Sequence, residues 1–127
     1  MKELSNKDRK LLLADLCARL LYGVIVQIPE LFCASKTIDV KLDAIFKVDD
    51  DFHFTDDYGY LIENIKPYLR PMSSMTEEER KEYDRFIMNG GLGSAEHFDW
   101  LNSHHFDYRG LIEKGLALEA PEEMYKL

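Results

Sequence analysis

The chain has 127 residues, of which 46% are hydrophobic and 31% are charged, and its formal net charge is −8. This length and composition indicate one globular domain and exclude a mostly disordered chain. The acidic balance argues against nonspecific nucleic-acid binding, which depends on Lys and Arg neutralising phosphates. The sequence shows neither a secretion signal nor a run of ~20 apolar residues, and so predicts a cytoplasmic protein without a membrane partner.

The first segment, residues 1–22, has the spacing of an amphipathic helix. Ser5 followed by Asp8 is typical of a helix start, because a serine hydroxyl can accept a hydrogen bond from a free backbone amide. Apolar side chains then recur at helical spacing until Gly23, which favours the end of the helix. The sequence therefore predicts one helix ahead of the strands.

The second segment, residues 23–66, carries the alternation of apolar and polar residues that is typical of strands. Its longest alternation, residues 38–48, predicts one long strand with a single buried face. Pro67 and Pro71 each remove a backbone donor, so the hexapeptide 66–71 is expected to leave the sheet. The predicted strands are 24–28, 38–48, 52–54 and 60–65, separated by a loop to about Lys36 and by Asp-rich turns at 49–51 and 56–59.

The third segment, residues 67–127, is predicted to be mainly helical and to end in a short polar tail. Thr76 and Glu79 form a capping box that starts a second helix, and Ser94 can cap a third. A short closing strand is expected at 116–118. We therefore predict a single domain, 1–127, of the α+β class, with an antiparallel meander sheet or small curled barrel of about 4–5 strands, one helix before it and two after it.

Aromatic and basic side chains are interleaved between residues 68 and 109 and are suited to interface hot spots or to stacking on a ligand. No nucleophile, base and oxyanion donor occur together in a known pattern, so the sequence favours noncatalytic protein binding over an enzyme and implies no cofactor. The candidate binding residues are Tyr68, Arg70, Trp100, His104, His105, Tyr108 and Arg109.

The histidines of the third segment suggest an alternative, a small-ligand or metal site, because imidazole is a common metal ligand. The candidate ligands are His97, His104 and His105. A metal-binding helix usually presents two ligands at i and i+3 or i+4, whereas His97 and His104 are seven residues apart. The spacing therefore favours partly buried, hydrogen-bonded histidines over a metal centre.

Three further motifs are incomplete. The Asp-rich turns lack the glycine and glutamate of an EF-hand loop, and the glycine-rich loop 90–94 lacks the basic residue of a P-loop. Cys33 is predicted to lie on a loop near Lys36, but the sequence identifies no base to activate it. Solvated turns and a flexible connection are the favoured interpretations of the first two motifs.

Three groups of segments carry a family resemblance: 15–20 with 22–24, 65–71 with 73–79, and 99–102 with 104–112. They resemble a group of short uncharacterised proteins encoded by gut Bacteroidales and their phages. The resemblance covers nearly the whole chain and departs at Leu21, where that group is expected to have proline. It implies a bacterial or phage cytoplasmic setting, and a phage context favours an accessory protein that binds a host factor or sequesters a small signalling molecule. Homodimerisation through an exposed strand edge also stays open.

Overall fold

The computed structural model describes residues 4–30, 33–48, 51–54 and 60–125. The Asp-rich turns predicted at 49–51 and 56–59 lie almost wholly outside these ranges. The helices are α1 (Asn6–Arg19), α2 (Glu77–Met88) and α3 (Ala95–Ser103). The strands are β1 (Ile25–Glu30), β2 (Cys33–Lys41), β3 (Ile45–Val48), β4 (Asp51–Phe54), β5 (Tyr60–Leu61), β6 (Lys66–Leu69) and β7 (Leu118–Glu119).

The first helix begins and ends as local chemistry dictates. The Ser5 hydroxyl accepts a hydrogen bond from the backbone amide of Asp8 at 3.1 Å, which satisfies one of the free amides of α1. After a 3-10 turn at Leu20–Tyr22 the chain leaves the helix at Gly23, whose φ of 73° is accessible to glycine at little cost. The capping signals in the sequence therefore predicted this element correctly.

The main sheet has four strands in the order β2-β1-β6-β7. β1 is antiparallel to both of its neighbours, whereas β6 and β7 are parallel. The α+β class is thus confirmed, but the prediction of a purely antiparallel meander or curled barrel is wrong, since the sheet is mixed and open. Strands β3, β4 and β5 form a separate antiparallel sheet.

The long strand predicted at 38–48 is interrupted in the structure. β2 ends at Lys41, and Leu42 turns into the core, where its backbone amide donates to the carbonyl of Val24 at 2.9 Å. The predicted buried face is also incomplete, because Ile38 lies on the outermost strand and is 42% exposed. Alternation in the sequence marks an extended chain but does not show where the core stops covering it.

The segment predicted to leave the sheet at 66–71 supplies one of its inner strands. β6 pairs with β1 at only two positions, Val26 with Pro67 and Gln27 with Lys66. Because only two positions pair, the missing backbone N–H of Pro67 does not interrupt a longer series of hydrogen bonds between the strands. The other neighbour, β7, lies within two residues of the short closing strand expected at 116–118. Burial of Pro67 and Leu69 outweighs the local preference against a proline in a strand.

One hydrophobic cluster joins α1 to the main sheet. Alternate side chains of the β1 region point into it, so that Val24, Val26 and Ile28 are buried. Leu12 and Leu16, one helical turn apart on α1, are buried in the same cluster. Within the described part of the chain, no helix is long and apolar enough to cross a membrane.

Candidate functional site

A buried polar cluster connects α1 with the segment that follows α3. Asp15 and Arg19 are both 0% exposed, and Nε of Arg19 donates to Oδ2 of Asp15 at 2.9 Å. Nη1 of Arg109 donates to the other carboxylate oxygen at 2.8 Å, and Nη2 of Arg19 donates to the carbonyl of Phe106 at 2.6 Å. The Tyr108 ring lies 5.3 Å from the Arg19 guanidinium and 4.7 Å from that of Arg109. Two predicted binding residues, Tyr108 and Arg109, therefore hold the fold together.

Arg70 connects α2 to the body of the protein. Its two terminal nitrogens donate to the two carboxylate oxygens of Glu79 at 2.8 and 2.7 Å, and its guanidinium lies 4.3 Å from the centre of the Phe106 ring. These hydrogen bonds hold the pKa of Glu79 at about 2. Glu79 also accepts from the backbone amide of Thr76 and so completes the predicted capping box. The guanidinium of Arg70 is thus engaged within the chain.

Tyr68 and Tyr125 form a hydrogen-bonded chain across the main sheet. The Tyr68 hydroxyl donates to Asp39 at 2.8 Å and accepts from Gln27 at 3.1 Å. The Tyr125 hydroxyl donates to the backbone carbonyl of Tyr68 and accepts from the backbone amide of Ile25, both at 2.8 Å. Tyr125, in the predicted polar tail, is therefore part of the folded domain. The sequence did not predict this role, because no local pattern around Tyr125 indicates it.

The three candidate histidines have different partners. Nδ1 of His97 accepts from the backbone amide of Gly93 at 3.0 Å, and Nδ1 of His104 lies 2.9 Å from the Trp100 carbonyl. His105 packs elsewhere, against Tyr125. Among the residues that the structure describes, no three His, Cys, Asp or Glu side chains are grouped so that they could hold a metal ion.

His105 occupies an unusual position. It is the one non-glycine residue of the described chain with a positive φ, 63°, and it is only 8% exposed. Its ring stacks on that of Tyr125 at 3.7 Å, and among the described residues no group hydrogen-bonds its Nδ1. Burial, followed by the positive charges of Arg19, Arg70 and His104, lowers the pKa of His105 to about 4, so the ring is neutral at pH 7.

A groove of about 670 Å³ runs between α2 and α3. Phe86 and Trp100 line it from the two helices, with their ring centres 6.1 Å apart. Nε1 of Trp100 donates to Glu82 at 2.7 Å, which joins the helices across the groove. Trp100 is thus the predicted binding residue that contributes an aromatic surface to an open groove.

Exposed apolar side chains occur at the end of α2 and in the connection between α2 and α3. Ile87 and Leu92 are each 51% exposed and Met88 is 83% exposed. No residue of α2 is buried. We call Phe86, Ile87, Met88, Leu92 and Trp100 together the hairpin surface. Of these residues, only Phe86 and Trp100 line the groove.

The sequence did contain a signal for the buried polar cluster. Asp15 and Arg19 are four residues apart, on the same helical stripe as Leu12 and Leu16. Opposite charges at that spacing on an apolar face indicate an ion pair that is buried with the stripe.

The comparisons add nothing to this geometry, because no protein-family model, no curated protein sequence and no solved structure matches the chain.

Proposed function

We propose that the protein is a noncatalytic binding module, an accessory protein of a bacterium or its phage, and that it binds a protein partner through the hairpin surface. The observation that supports this most is the exposure of Met88, at the end of α2, and of Leu92, in the connection to α3, which are 83% and 51% exposed; α2 and α3 are the helices whose aromatic side chains line the groove. Adjoining apolar residues on a soluble domain are costly to leave in water unless a partner covers them. Exposed aromatic and methionine side chains are also enriched at binding hot spots.

The charge around the groove defines the chemistry of the partner. Glu82 and Glu96 line it together with Arg85, and the whole chain carries a net charge of −8. A partner that lays apolar side chains on Phe86 and Trp100 therefore gains most if Lys or Arg flank them. We propose an amphipathic helical segment with apolar residues at i, i+3 or i+4 and basic residues beside them.

The matched test compares two variants that each bring charge to exposed apolar positions. A displayed library of random peptides is selected on the wild-type protein, on Met88→Glu/Leu92→Glu and on Leu21→Glu. Leu21 is 90% exposed and lies in the 3-10 turn after α1, outside the hairpin surface. The wild type and Leu21→Glu should enrich the same basic amphipathic peptides, and the double variant should bind them at least about tenfold more weakly, as expected when hot-spot residues are lost.

Two results would contradict the proposal. Enrichment of the same peptides by the double variant would show that the hairpin surface does not bind them. Light scattering that finds a wild-type dimer and a monomeric double variant would instead assign this surface to an interface between two copies of the chain.

A further inference from the structure

A second cavity, of about 440 Å³, lies between the β1–β2 pair and the segments that carry His105 and Tyr125. Gly23, Asp39 and Lys41 also line it. It shares no lining residue with the groove between α2 and α3. Whatever occupies this cavity would therefore bind independently of a partner on the hairpin surface.

A buried polar atom without a partner lies beside the cavity. The His105 imidazole lines it, is 8% exposed, and has no hydrogen bond at Nδ1 among the described residues. A buried donor or acceptor left unpaired costs free energy, so such groups in folded proteins call for an explanation. The backbone at His105 is also strained, with a φ of 63°. Residues held in this conformation are often found at binding sites.

The electrostatics around the imidazole favour an anion. The guanidinium groups of Arg19 and Arg70 both act on His105, and that of Arg70 is paired with Glu79. The Asp15 carboxylate near Arg19 is fully engaged, since one oxygen accepts from Arg19 and the other from Arg109. The neutral imidazole also carries an N–H that can donate to an anionic oxygen.

Lys41 adds a cation at the rim of the cavity. Its side chain crosses Gly23, where a Cβ would lie only 2.9 Å from the Lys41 Cε, so the missing side chain of glycine makes room for the lysine stem. The carboxylate on the same rim, Asp39, accepts from the Tyr68 hydroxyl at 2.8 Å. The hydrogen bond from Tyr68 therefore partly compensates the negative charge of Asp39, which would otherwise oppose an anion in the cavity.

We infer that this cavity binds a small molecule through a carboxylate or phosphate group, which the His105 imidazole and the Lys41 ammonium hold together. His105 and Lys41 both line the cavity, where His105 supplies a neutral donor and Lys41 a positive charge. Tyr125 fixes the imidazole by stacking on it at 3.7 Å. The site is a binding site and requires no chemical step.

The test titrates isotope-labelled protein with inorganic phosphate and with acetate and follows the His105 ring and the backbone amides of β1 and β2 by NMR. The wild type should show saturable shifts that begin at the cavity. Lys41→Met and His105→Asn should each weaken binding by about tenfold, the loss expected for one charge-assisted hydrogen bond. Asn is the variant chosen at 105 because it accepts a positive φ more readily than most residues.

The control is Lys36→Met, which removes a second exposed lysine of β2 that does not line the cavity. It should bind as the wild type does, and unchanged amide shifts far from the cavity will show that each variant is folded. Tighter binding of phosphate would assign a phosphoryl ligand, and tighter binding of acetate a carboxylate. Absence of saturable shifts, or equal binding by all three variants, would overturn the inference and leave an adventitious ion only.

Discussion

The carboxylate of Asp15 accepts a hydrogen bond from the guanidinium of Arg19 at 2.9 Å, and neither side chain is exposed to solvent. Removing two charges from water is costly, and their attraction repays this cost only when the remaining polar atoms are also paired. Here the second Asp15 oxygen accepts from Arg109 and Nη2 of Arg19 donates to a backbone carbonyl, whereas Nη1 of Arg19 has no hydrogen-bond partner among the described residues. One carboxylate thus compensates two arginines that come from distant parts of the chain.

The substitution Asp15→Asn should destabilise the protein by about 3 kcal/mol, because it leaves the buried Arg19 charge without its counter-charge. Urea unfolding of the wild type and the variant measures the difference in the free energy of unfolding. Asp43→Asn, at an exposed position, is the control and should change that free energy by less than about 0.5 kcal/mol. A loss at Asp15 no larger than the control would mean that the pair contributes nothing to stability.

Stability should fall as the pH is lowered from 6.5 towards 4, because of His105. Its pKa in the folded protein is about 4, below the ordinary value of 6.5, so the unfolded state binds the proton more readily. The contribution is therefore complete above pH 6.5 and is lost as the pH falls through the folded value. Unfolding midpoints between pH 7 and 5 should decline more steeply for the wild type than for His105→Asn, and parallel curves would rule His105 out.

The Glu79→Gln substitution should loosen α2 without unfolding the core. Glu79 joins α2 to Arg70 through two hydrogen bonds and closes the capping box with Thr76. Amide hydrogen exchange should become faster throughout α2, by an amount corresponding to about 1 kcal/mol, and should stay unchanged in β1. Glu78→Gln, in the same first turn, is the control. Equal exchange in both variants would show that the Arg70 contact does not hold the helix.

The Tyr125→Phe substitution should cost about 1–2 kcal/mol, because the Ile25 amide loses its acceptor while the ring stays in place. Tyr83→Phe, in a ring that packs on His97 and Trp100, is the matched control.

Burial raises the pKa of Tyr125 from 10.0 to about 12 in the folded state. The stability that this group contributes is therefore constant below pH 10 and is lost as the pH rises towards 12. That alkaline loss should be smaller in Tyr125→Phe than in the wild type, although it should not vanish because the pKa values of Tyr22 and Tyr68 are also raised by desolvation. An equal loss in the two proteins would exclude Tyr125 as a cause.

The sequence predicted those elements whose causes are local. Ser5, Thr76 and Ser94 each accept a backbone hydrogen bond three residues on, so a short window contains the whole cause of the helix start. Pro67 was misjudged because its place beside Val26 depends on chain more than thirty residues away. A proline's local preference was outweighed by burial against distant strands.

The candidate site shows the same division. Trp100 was identified as a binding residue, and the structure places its ring on an open groove. Arg109 has the same apparent suitability in the sequence, yet its guanidinium is paired with Asp15, which lies 94 positions earlier. Residue type and spacing cannot show which cations find a carboxylate within the fold. Only the tertiary structure separates side chains that stay accessible at the surface from those that are paired within the chain.

The exposure of α2 along its whole length has a consequence for how this protein can diversify. No α2 side chain is buried, and the helix is joined to the body through Glu79, Glu82 and its aromatic rings. Substitutions at the remaining positions would alter the outward face while leaving the hydrophobic cluster of α1 and the sheet untouched. Changes at the exposed residues Ile87, Met88 and Leu92 would therefore alter the proposed binding surface at little cost in folding, whereas Phe86 and Trp100 also join the two helices and are constrained by both roles.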